Sequence, residues 1–149
     1  MGVNSSGEVI RLDGFLPYKL ILLADRLSRR ITSIAREEGD LTLSEWRVMA
    51  AVADRPGRTA NEVVAITPMD KGVVSRSVRT LIDRGLLRRE ASDADGRLAH
   101  LYLTDAGGSA YEAVASKILL VDRQVREALP EEGYGAIEKG LDEMLRTLR

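Results

Sequence analysis

The chain has 149 residues, 44% of them apolar, 30% charged and 4% aromatic, with 22 Lys+Arg against 23 Asp+Glu. That size fits one domain, or one domain with appended helices, around an ordinary core. The absence of cysteine excludes a disulfide framework, a zinc-thiolate site and a thiol sensor, and the single His100 excludes a multi-histidine metal site, so no cofactor is expected. No apolar run, Leu20 to Ala24 included, approaches the ~20 residues that a membrane-spanning helix needs. Glu8 and Asp13 precede any apolar stretch, so no secretory signal and no membrane contact are expected, and the expected location is cytoplasmic.

Charge is unevenly spread. Residues 51–104 carry nine basic and seven acidic side chains, whereas residues 105–149 carry six and nine. The arginines of the middle segment cluster over 76–97. Where they fall on the elements decides what that excess means.

Residues 1–14 are polar and rich in glycine, and read as a flexible arm. From Phe15 to Glu38 the pattern is helical: Leu16, Leu20, Leu23, Leu27, Ile31 and Ile34 form one stripe, Pro17 suits the first turn, and Gly39 is expected as a left-handed cap. Ile21 and Leu22 fall outside that stripe, which predicts a second partner for the helix. Thr42 with Glu45 reads as a capping box opening a helix to about Ala53. Arg55-Pro56-Gly57-Arg58 is a turn, and Thr59 with Glu62 is a second capping box, opening a helix to Ile66. Thr67-Pro68-Met69-Asp70 predicts a third start, with proline at the first helical position, for a helix reaching Arg84 and stopped by Gly85.

Two β-like runs follow, Leu86–Glu90 and Leu98–Leu103, around a polar tip. Thr104-Asp105 caps a long helix to about Leu129, with a seam of Tyr111, Val114, Ile118, Val121, Val125 and Ala128. Gly107 and Gly108 are expected to weaken its start. Pro130 ends it, and Ile137, Leu141, Met144 and Leu148 mark a final helix.

Two capped helices joined by a tight turn, then a hairpin, suggest a winged helix-turn-helix. The fold class expected is therefore mainly α, an α+β winged helix. On the helix after Asp70, Val74, Val78 and Leu81 form an inward stripe, while Gly72, Ser75, Arg76 and Arg79 share another side bordered by Lys71. Arginine can pair with guanine or phosphate and serine with either, and Gly72 would let backbone approach a duplex. Such a face is equally a solvated one. Thr59 and Asn61 sit at a neighbouring helix start that could face phosphates. At the hairpin tip, Asp95 can hold Arg97 extended for a narrow minor groove, or simply form a surface ion pair.

The stretch Leu41–Gly108 resembles the MarR family of bacterial transcription regulators. The matching motifs are Glu45-Trp46-Arg47-Val48, Met69-Asp70-Lys71-Gly72, Val74-Ser75-Arg76, Asp83-Arg84-Gly85-Leu86, Asp95-x-Arg97 and Leu103-Thr104-x-Ala106-Gly107, with Leu16-Pro17-Tyr18 similar to the family's first helix. Gly96 stands where the family usually has arginine. The resemblance implies a homodimer paired through helical regions 15–40 and 105–149, with region 41–104 bound to double-stranded DNA at a pseudo-palindromic operator. It also implies a repressor released by a small ligand, often a phenolic or other aromatic acid. Tyr18, Leu22, Arg26, Arg30, Trp46 and Arg47 are the candidate ligand residues; Trp46 reads equally as a core anchor and Arg47 as a structural or phosphate-pairing residue.

No nucleophile–base pair is available for enzyme chemistry, because the one histidine lies on a wing strand. The rival reading is a winged helix acting as a protein-interaction or dsRNA-binding module. The basic segment 55–97 lacks the aromatics that single-strand stacking requires.

Overall fold

The computed structural model describes residues 9–92, 94 and 96–148. After a 3-10 turn at Leu12–Gly14 come α1 (Leu16–Gly39), α2 (Leu43–Asp54), α3 (Ala60–Ile66), α4 (Lys71–Asp83), β1 (Leu87–Ala91), β2 (Ala99–Leu103), α5 (Asp105–Glu127) and α6 (Gly133–Thr147). This is the mainly helical winged architecture that the sequence predicts. None of the described helices is long and apolar enough to cross a membrane.

The core forms around α2, which buries Trp46, Val48, Met49, Ala51 and Val52. Against it lie Val63 of α3, Val74, Val78 and Leu81 of α4, Leu87 and Leu101 of the hairpin, Val114 of α5 and Ala35 of α1. Each of the valine, leucine and methionine side chains withdrawn from water contributes about 1.5–3 kcal/mol. Both predicted capping boxes form. Thr42 and Thr59 accept the Glu45 and Glu62 amides, and the two glutamates accept the threonine amides in return.

The third start differs from the sequence expectation. Asp70, not Thr67, caps α4, its Oδ1 accepting the Val73 amide at 2.8 Å. Thr67 instead closes α3, donating its hydroxyl to the Val63 carbonyl. Met69 and Val74, flanking the cap at its N′ and N4 positions, are both buried, the arrangement of a hydrophobic staple. Pro68 therefore lies in the connection.

The left-handed residue that ends α1 is Asp40 (φ 49°), not Gly39. Gly39 serves packing instead, since a Cβ there would stand 2.8 Å from Val114 Cγ2. Gly107 has a like role. A side chain there would drive into the Leu86 carbonyl, whose carbon lies 2.9 Å from the Cβ position. What reads in sequence as a weak helix start is thus a close crossing of α5 over the α4–β1 corner.

The hairpin is shifted slightly from expectation, with Leu87 opposite Leu103, Arg89 opposite Leu101 and Ala91 opposite Ala99. The α2–α3 turn pairs with its other edge. Gly57 N donates to the Leu101 carbonyl at 2.8 Å, and Leu101 N to the Arg58 carbonyl at 3.0 Å. His100 Nδ1 lies 2.7 Å from the Gly57 carbonyl oxygen. The root of the wing is therefore three backbone segments wide.

The stripe on α1 divides. Ile31 and Ile34 pack on the core, whereas Leu16, Leu20, Leu23 and Leu27 line an open apolar groove of about 590 Å³ completed by Leu141, Met144 and Leu145 of α6 and Leu148 just after it. α6 has no buried residue.

Candidate nucleic-acid interface

α4 is two-sided. Val74, Ser77, Val78 and Leu81 are buried, while Lys71, Gly72, Ser75, Arg76 and Arg79 are exposed. The periodicity that sends the valines inward sends the arginines outward. Next to this face, Ser75, Arg79, Ile82 and Asp83 form a polar cleft of about 270 Å³ with Arg89 from β1. A second cleft, of about 140 Å³, brings Thr59 and Asn61 at the start of α3 together with Arg97, Arg89 and the base of the wing. Asp95 lies outside the described residues, so its pairing with Arg97 is not described.

Arg89 lines both clefts, and sequence reading did not single it out. The signal was its register. Opposite the buried Leu101, it points to the inner face of the hairpin, at the edge where α3 and α4 approach.

The basic excess of the middle segment is divided by pairing. Arg55 pairs with Glu62. Arg58, only 12% exposed, pairs with Asp54 at 2.7 Å and donates to the Ala51 carbonyl. Arg84 reaches Glu45 and the end of α1, and Arg88 pairs with Glu90 and lies over the Tyr102 ring. Among the described residues, Lys71, Arg76, Arg79 and Arg89 form no ion pair. Within the middle segment, Arg97 aside, the cations without an ion pair are thus those around the α4 face and its cleft. The Glu62 carboxyl is held below its ordinary range, first by the Thr59 amide that donates to it and then by Arg55, against opposition from partial burial.

The candidate ligand residues do not converge. Trp46 is buried and stacked on Tyr111, ring centroids 5.4 Å apart. Arg47 is half-buried on α2, whereas Tyr18, Leu22, Arg26 and Arg30 follow one exposed stripe of α1. Arg30 lines a cleft of about 290 Å³ with Glu37, Glu38 and Lys117.

Two capped helices, a two-sided third element and a hairpin whose root shares their core define a winged helix-turn-helix protein. The MarR family model matches residues 39–98. The transcriptional regulator HosA of Escherichia coli O111:H- is 28% identical over 109 residues, 73% of this chain and 75% of that protein. A MarR/EmrR family transcriptional regulator from Acinetobacter sp. ADP1 has the same fold, with a TM-score of 0.84 at 19% identity over 93% of this chain and 98% of its own. The Staphylococcus aureus MepR structure, solved as a DNA complex, superposes with a TM-score of 0.80 at 19% identity, covering 92% and 99%. Over residues 39–98 the chain is thus similar to the MarR family, and as a whole it has the fold of the solved MarR-family regulators.

Proposed function

We propose that the chain is a homodimeric, sequence-specific DNA-binding regulator that represses until a small aromatic acid releases it. The observation that carries the DNA contact is that, within the middle segment, the cations without an ion pair, Lys71, Arg76, Arg79 and Arg89, gather on the α4 face and its cleft. α4 enters the major groove, with Arg76, Arg79 and Ser75 at base edges and Gly72 allowing close approach. Thr59 and Asn61 meet phosphates, Lys71 a phosphate near the start of α4, and the wing carries Arg97, with Asp95, toward the minor groove. The regions divide accordingly, 41–104 holding DNA and 15–40 with 105–149 holding the partner.

Dimerisation is supported by the α1–α6 groove. Its lining is leucine-rich and open, and Leu145 and Leu148 are 69% and 85% exposed. A helix with an apolar stripe and no buried residue is covered economically by a second copy of the same faces. Two reading helices would then meet successive major grooves ~10 bp apart. For release, the exposed α1 stripe of Tyr18, Leu22, Arg26 and Arg30 offers one ring and two guanidiniums to an aromatic carboxylate, with Arg47 and Trp46 of α2 as separate candidates. A ligand favouring a DNA-incompetent dimer lowers DNA affinity by its preference between the two forms.

The test is an anisotropy titration of the duplex upstream of the coding region against a shuffled duplex, at two salt concentrations, with benzoate- or salicylate-type acids added as competitors. Tighter binding to the upstream duplex with a steep salt slope is expected. Equal, weak binding to both would favour a protein-interaction or dsRNA module.

A further inference from the structure

The corner after α4 is held from two sides by elements distant in sequence. α1 packs on α2 and α5, whereas α4 packs on α2, α3 and β1. Arg84 is the polar side chain that crosses between them. Its Nη1 donates to the Asp40 carbonyl at 2.8 Å and its Nη2 to the Gly39 carbonyl at 3.5 Å, at the end of α1. Nη1 also lies 3.5 Å from Glu45 Oε2, the oxygen that accepts the Thr42 amide in the α2 capping box. One guanidinium thus joins the end of α1, the start of α2 and the end of α4. The carbonyls at a helix C-terminus carry partial negative charge and lack intrahelical donors, so a cation there is favoured. From the opposite side, Thr104 at the start of α5 donates its hydroxyl to the Gly85 carbonyl at 2.6 Å and its amide to the Leu86 carbonyl at 3.1 Å. Gly107 leaves no clearance there.

We propose that Arg84 is a positioning residue that fixes α4 relative to α1, and so sets how far apart two reading helices stand in a dimer. The inference rests on the dimeric DNA-binding function proposed above. The fork matters more than the charge, because lysine offers one ammonium and cannot hold two carbonyls and a carboxylate in a fixed plane.

The native chain has no cysteine, so spin labels can be placed at Ser33→Cys on α1 and Thr80→Cys on α4, in protein diluted with unlabelled chain and without DNA. The native background should give one narrow distance distribution, Arg84→Met a broadened one, and Arg84→Lys an intermediate one. In parallel, affinity is measured for a single half-site and for palindromes whose half-sites are moved by one base pair. Arg84→Met should reduce the preference for the native spacing by roughly fivefold or more, while half-site affinity stays within about twofold. A native-like distance distribution in Arg84→Met overturns the proposal, and so does an unchanged spacing preference. Equal losses on half-site and palindrome, in step with a lower Tm, would assign Arg84 to stability alone and also overturn it. If the native chain prefers no duplex at all, the functional reading fails, and the label distances still decide whether Arg84 ties α4 to α1.

Discussion

Arg76 and Arg79 differ from Arg55, Arg58, Arg84 and Arg88 in company. Those four each form an ion pair with a carboxylate; these two form none. Replacing Arg76 or Arg79 with alanine should cost about 1–3 kcal/mol on the preferred duplex and relax base choice if the contact is to a base edge. Equal losses on preferred and random duplexes, read by anisotropy, would assign the contact to phosphate. Arg97→Ala should weaken binding most where A·T-rich sequence flanks the site, measured with otherwise identical duplexes of changed flanks. Gly107→Ala is a stability test. With the Leu86 carbonyl in the way, the α5 start must shift, and a loss of about 1–3 kcal/mol is expected in urea denaturation.

At the scale of elements, α3 depends heavily on its cap because it has only seven residues. Thr59→Ala should cost about 1 kcal/mol in chemical denaturation. Its partner Glu62 supplies a pH signature. The folded carboxyl titrates below the unfolded one, so its stabilisation is complete above the unfolded value and fades as pH falls through the lowered folded value. Between about pH 6 and about pH 3, the native chain should therefore lose more stability than Glu62→Gln, compared by thermal melts.

These elements also show how far residues betray structure. The capping boxes at Thr42 and Thr59 and the inward stripe of α4 were legible because their signals are local, spanning three or four residues. The start of α4 was not, because Thr67 and Asp70 are both competent caps. The buried Met69, a property of the tertiary core, favours Asp70. Gly39 and Gly107 could not be explained locally either, since Val114 and Leu86 supply the reason from elsewhere in the chain. Arg89 escaped notice because its direction depends on strand register, and a shift of one residue reverses the face.

For the whole molecule, the open groove between α1 and α6 makes a quantitative demand. Leu141 and Leu145 lie along it, with Leu20 and Leu23 opposite. Leu145→Glu should convert the protein to monomer in sedimentation equilibrium and weaken palindrome binding much more than half-site binding. A dimer that survives this substitution would locate the pairing surface elsewhere. Helix content should persist, because α6 contributes nothing to the core.

The stack of Trp46 on Tyr111 has an optical consequence. Trp46 is the chain's one tryptophan, so tryptophan emission comes from a single point, the seam where α2 meets α5. Its near-parallel neighbour, inclined by 12°, shields one ring face from collisional quenchers. Separation of α5 from α2 would redden that emission and admit acrylamide, whereas events confined to the wing tip would leave it unaltered. The molecule thus contains its own chromophore at the joint between its two halves, and a titration in a fluorimeter can report which joint has moved.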